Sequence, residues 1–152
     1  GIFEHFIDQK DYDMLLLYAR RATPLFEHYT SADPFWAHRV INIFDSKTVP
    51  EFIQDAAWRY LEKVKEAVMH FYGLEEEIYA DTMQFVKWEK NTQQSPHADA
   101  WSTPETLNEY PWREFGSILY LNSEYEGGSI YYPYKGVTYK PGGNSLAFHP
   151  GS

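Results

Sequence analysis

His97 and Asp99 stand one residue apart in Ser95-Pro96-His97-Ala98-Asp99-Ala100-Trp101. In extended chain, residues two apart point to the same side. An imidazole nitrogen and a carboxylate oxygen can therefore be offered to one point. A neutral imidazole beside a carboxylate suits divalent iron, and one further His completes a 2-His-1-carboxylate set with open coordination positions. Alone, His-x-Asp is a weak signal, since such a pair in a loop often does no more than face solvent. Other chemistries find less support. There is no Cys, which excludes disulfides and thiolate metal sites. No Gly-rich phosphate loop, Gly-x-Ser-x-Gly elbow or basic-aromatic patch occurs. The run Glu75-Glu76-Glu77 reads as a solvated loop, lacking the alternation of a calcium loop. His5, His28, His38 and His70 have no carboxylate at ligand spacing and read as structural.

The elements that must position the pair fall into a helical first half and a strand-rich second half, an α+β pattern. A first helix is expected from Asp8 or Asp11, with Met14, Leu15, Leu17 and Tyr18 on its apolar side, ending at Thr23-Pro24. Phe35-Trp36 and Val40-Ile41 read as short buried pieces. A second helix is expected after Thr48, which has capping-box spacing to Glu51, with Pro50 in the first turn. Ile53, Ala57, Tyr60, Leu61, Val64, Val68 and Phe71 recur along it at helical spacing, and Gly73 is a natural stop. Strand signals follow at Tyr79 to Trp88, Phe115 to Leu121 (a buried run), Ser129 to Tyr134, Gly136 to Lys140 and Ser145 to Phe148. Short strands at this spacing point to a sandwich or barrel-like sheet. The polar connection from Asn91 to Arg113 is long, and such loops in compact domains are often functional.

Composition sets the outer bounds. The 152 residues are 43% hydrophobic and 18% aromatic, a globular make-up fitting one domain with a sizeable core. A formal net charge of -9 disfavours nucleic acid as a partner. No apolar run approaches the ~20 residues that span a bilayer, and the N-terminus lacks signal-peptide order. No membrane association and a cytoplasmic location are the expectation. The oligomeric state is not encoded in any pattern visible here. Both ends read as abrupt, so the chain is expected to be part of a longer domain. The aromatic content also admits a non-catalytic β-sandwich module that stacks carbohydrate on Tyr and Trp.

Around the metal pair, the order of motifs becomes specific. After the strand ending at Trp88 and the His97/Asp99 pair come Phe115-Gly116-Ser117-Ile118-Leu119-Tyr120-Leu121-Asn122, then Tyr125-Glu126-Gly127-Gly128, Tyr132-Pro133, and Lys140-Pro141-Gly142-Gly143-Asn144-Ser145-Leu146-Ala147-Phe148. This order resembles that of iron(II)/2-oxoglutarate-dependent dioxygenases of the prolyl 4-hydroxylase-like group, over roughly residues 79 to 152. The resemblance implies a double-stranded β-helix, a jelly-roll or cupin-like barrel, over about 78–152, with the helices of about 1–75 packed outside. It implies Fe(II), 2-oxoglutarate and O2, and a small-molecule or peptide substrate, either prolyl or a free amino acid. Carried over by residue, His97 and Asp99 match two iron ligands. Tyr120 matches an aromatic position near the 2-oxoglutarate pocket, or is a core residue. Trp88 stands where many relatives carry a co-substrate-binding Tyr, and an indole offers only a donor. Trp101 and the loop from Ser102 to Trp112 fall where relatives cover the substrate, or form a small core. Arg113 could reach an anionic substrate group or form a surface ion pair. Gly127 and Gly128 imply a turn with positive φ. His149, the only late His, falls where relatives usually carry a non-ligand residue; it either decorates the turn after Phe148 or is itself the third ligand. The second His ligand and the basic residue for 2-oxoglutarate are therefore expected beyond residue 152, with the final strands. A truncated dioxygenase fold that no longer turns over is the remaining alternative.

Overall fold

The computed structural model describes residues 1–151. In chain order it runs β1 (Ile2–Glu4), α1 (Gln9–Arg21), α2 (Thr23–His28), β2 (Val40–Asn42), α3 (Glu51–Tyr72), β3 (Gln84–Val86), β4 (Trp101–Thr103), β5 (Thr106–Leu107), β6 (Phe115–Tyr120), β7 (Ile130–Tyr132), a 3-10 turn (Pro133–Lys135), β8 (Val137–Tyr139) and β9 (Ser145–Pro150). The fold is mixed α+β with small antiparallel sheets. No closed barrel forms among the described residues. One sheet has three strands in the order β1-β9-β6, and the pairs β2-β3, β4-β5 and β7-β8 stand as two-stranded ribbons. No helix is long and apolar enough to cross a membrane among the described residues.

The chain divides into two compact units, residues 10–92 and residues 1–9 with 93–152. The boundary thus follows β3 and does not sit near residue 75. The opening apolar segment joins the strand-rich unit.

In the unit of residues 10–92, α3 follows the expected stripe. Ile53, Ala56, Ala57, Tyr60, Val64 and Val68 are buried at spacings of three and four. Each large aliphatic among them gains about 1.5–3 kcal/mol from leaving water. Leu61 is half-buried and Phe71 exposed, so the stripe is narrower than expected. Gly73 ends the helix at φ 64, the left-handed conformation that glycine adopts without steric cost. The capping box at Thr48 does not form. Pro50 takes the N-cap with extended backbone and no side-chain cap, while the Thr48 and Val49 amides donate to the Asp45 carbonyl. A residue before proline is driven out of helical backbone, which leaves Val49 and Thr48 in a turn. Thr23-Pro24 ends α1 as expected but also starts α2, where proline suits a first turn. The strand expected over Tyr79 to Trp88 is reduced to Gln84–Val86, paired with Val40–Asn42. The Tyr60 hydroxyl donates to Asp11 Oδ2 at 2.7 Å, and Arg59 donates to the same oxygen at 3.1 Å.

In the other unit, β9 is the central strand and is buried from Ser145 to Phe148. It pairs with β6 through Gly116↔His149, Ile118↔Ala147 and Tyr120↔Ser145, and with β1 through Ile2↔Ala147. β6 is not the fully buried run that its composition implies, since Ile118 is 45% exposed. Asn144 holds the N-terminal segment to the turn before β9. Its side chain accepts from the Ile7 amide and donates to the Ile7 carbonyl, each at 2.7 Å, from buried positions. Asn144 has φ 59, which an Asn tolerates better than most residues. Gly127 and Gly128 have φ 70 and 66, as expected of that turn. A side chain on Gly128 would meet the Tyr125 ring at 2.6 Å.

Candidate metal centre

The polar connection ahead of β6 is more ordered than its composition implies. It carries the β4-β5 hairpin and an isolated bridge between Ala98 and Trp101. Backbone bonds fix the segment that bears Asp99. Asn108 Nδ2 donates to the Asp99 carbonyl at 2.8 Å, the Ala100 amide donates to Gly151 at 3.1 Å, and the Gly151 amide donates to Glu114 at 2.7 Å. Gly151 has no room for a side chain, since a Cβ there would lie 2.0 Å from the Arg113 carbonyl oxygen. The end of β9 and the start of β6 are thus tied to the loop carrying the His-x-Asp pair.

His97 Nε2 lies 3.5 Å from Asp99 Oδ1, with the imidazole 46% and the carboxylate 27% exposed. His97 Nδ1 is 2.9 Å from the Ser95 carbonyl oxygen. A carbonyl only accepts, so Nδ1 carries the proton and donates. In the neutral ring, Nε2 then presents a lone pair to the carboxylate oxygen. Two acceptors facing each other are satisfied by what they share, either a donated hydrogen or a cation. Bonds of about 2.0–2.2 Å, as at zinc, place neighbouring donors about 3.4 Å apart in a tetrahedral set and about 3 Å apart at right angles, so the 3.5 Å spacing of the pair lies near that of donors around a first-row divalent ion. Anchoring a ligand imidazole by its other nitrogen to a carbonyl is also the usual arrangement at metal sites. By donor chemistry and spacing, the pair fits two positions of an iron site. Among the described residues, no third His, Asp or Glu is grouped with it to complete a metal-binding set.

Sequence reasoning undervalued what surrounds the pair. Gly116 lies beneath the Asp99 carboxylate: a Cβ there would sit 2.4 Å from Asp99 Oδ2 and 3.0 Å from His149 Nε2. His149 is directly opposite Gly116 in the β6-β9 register, so its ring stands over the same bare backbone. The ring meets Tyr132 edge-on, with centroids 5.9 Å apart. Tyr120 is four residues from Gly116 on the same strand and shares its face. Burial raises the Tyr120 phenol above its ordinary pKa, and the neighbouring phenols of Tyr132, Tyr125 and Tyr139 add to this. The result is a patch of neutral hydroxyls on the face that also carries His149. Tyr132 was legible only as part of a strand and His149 only as a late His in the turn after Phe148, because cross-strand register is not a local signal.

The remaining expected residues are placed as follows. Trp101 is half-buried in β4, opposite Leu107. The Arg113 guanidinium stacks 4.0 Å over the Tyr110 ring, which holds it as a cation–π partner. Trp88 belongs to the unit of residues 10–92 and packs edge-on against Phe35. The His38 and His28 imidazoles bond to backbone carbonyls, in keeping with structural roles. Comparison with known protein-family models, curated proteins and solved structures gives no match to this chain.

Proposed function

We propose that this chain is the core of an iron(II)- and 2-oxoglutarate-dependent oxygenase, hydroxylating an unactivated C–H bond of a small molecule or peptide. The supporting observation is the His97/Asp99 pair, its imidazole oriented by Ser95 and its lone pair turned to the carboxylate. In this reading His97 and Asp99 would hold Fe(II) together with a third protein ligand. When bound, iron with 2-oxoglutarate supplies the oxidising power for C–H hydroxylation. The chain's own contribution is geometric and electrostatic. Ser95 fixes the tautomer of His97, and Asn108 and Gly151 fix the peptide group between Asp99 and Ala100. Tyr120, kept protonated by burial, offers a hydroxyl for the co-substrate. Trp101 and Arg113 remain candidates for the substrate side, with prolyl peptides and free amino acids as the first classes to test. In this reading the antiparallel sheet β1-β9-β6 would belong to a double-stranded β-helix.

The test is 2-oxoglutarate turnover. Asp99→Ala should abolish metal-dependent succinate formation, and undiminished succinate would sink the ligand assignment. A carbohydrate-stacking module is less well supported. The exposed pair Tyr110 and Trp112 meets at 83°, edge to face, and offers no coplanar platform.

A further inference from the structure

His149 has a role that neither its strand position nor the metal pair explains. Its Nδ1 lies 2.8 Å from the Pro150 carbonyl oxygen, so Nδ1 donates and the neutral ring presents Nε2 as a bare acceptor. That acceptor and Asp99 Oδ2 both overhang Gly116, the one position on β6 with no side chain to fill the space between them. Asp99 therefore has an imidazole on each flank, His97 toward Oδ1 and His149 on the Oδ2 side. Two acceptors cannot bond to each other directly. A water donating one hydrogen to each would satisfy both.

We propose that His149 is a positioning residue for the Asp99 carboxylate, acting through a water held over Gly116. The bridge fixes Oδ2 and so turns Oδ1 toward His97. Ligating carboxylates elsewhere are held by hydrogen bonds of this kind, and losing an outer partner typically weakens metal binding by about 10–100-fold. The assignment rests on the metal reading above, and its test separates the two.

The probe is Mn(II), titrated anaerobically into the full chain and followed by electron paramagnetic resonance, with pulsed measurements counting coordinated imidazoles. His149→Phe keeps a ring beside Tyr132 but has no acceptor. His149→Gln restores an acceptor near the position of Nε2. Circular dichroism checks that both variants fold as the parent does. The expected result is a roughly 10–100-fold weaker Mn(II) affinity for His149→Phe, an unchanged imidazole count, and substantial recovery in His149→Gln. Unchanged affinity in His149→Phe would overturn the assignment. So would a fall of one in the imidazole count, which would make His149 a direct ligand. If His97→Ala and Asp99→Ala leave the parent affinity unaltered, the metal reading itself fails and the positioning role goes with it.

Discussion

At the scale of single residues, the proposed centre depends as much on an absent side chain as on His97 and Asp99. Gly116 leaves open the space into which Asp99 and His149 project. A methyl group there would contact only the ends of two side chains, not backbone. Those ends can swing aside at small cost to folding but not without disturbing Asp99. Gly116→Ala is therefore expected to change thermal stability by less than about 1 kcal/mol while weakening Mn(II) binding at least tenfold, read by calorimetry and metal titration. Equal metal affinity in the two proteins would show that the carboxylate does not need this space. The His97/Asp99 pair was legible in the sequence because its geometry is local: two residues apart, one backbone segment. Gly116 and His149 were not. They meet Asp99 only through the β6-β9 register and the ties from Ala100 and Glu114 to Gly151, which span many residues.

At the scale of elements, the helices were the more legible half. The stripe of α3 follows from residue spacing alone, and Gly73 terminates it for a reason visible in one residue. The cap failed because Pro50 acts on the residues before it, and Asp45 captures the amides that a Thr48 cap would have organised. α3 is tied to α1 by Tyr60, whose hydroxyl bond is the leading cause of a lowered Asp11 pKa, with burial opposing and Arg59 assisting. The folded-state value lies below the unfolded one. The contribution is thus fully present above the ordinary Asp value of about 3.9 and is lost as pH falls through the folded value. Tyr60→Phe should reduce the dependence of stability on pH on the acid side, measured by urea unfolding between about pH 6 and about pH 2. A parent and variant with parallel pH profiles would remove Asp11 from the account. Strands were harder to read. Tyr79 to Trp88 has strand composition throughout, yet only Gln84–Val86 forms a strand, with single backbone bonds at Met83 and Lys87 flanking it.

At the scale of the whole molecule, the class of fold followed from the order of helical and strand signals, and the division into units did not. Gly1–Gln9 lies far in sequence from β9, but β1 pairs with it, and Asn144 clamps Ile7 through two buried bonds. Nothing in the local composition of Ile2 to Ile7 names that partner. The net charge of -9 remains a statement about the surface and its partners, not about the site. The central claim is that His97 and Asp99 hold an iron that also takes 2-oxoglutarate. Its most direct test is an anaerobic Fe(II) titration of the protein, with and without 2-oxoglutarate, followed by the visible metal-to-ligand charge-transfer band. The account predicts a band that requires both additions, saturates at one iron per chain, and disappears in His97→Ala. No band, or one that survives His97→Ala undiminished, would contradict it.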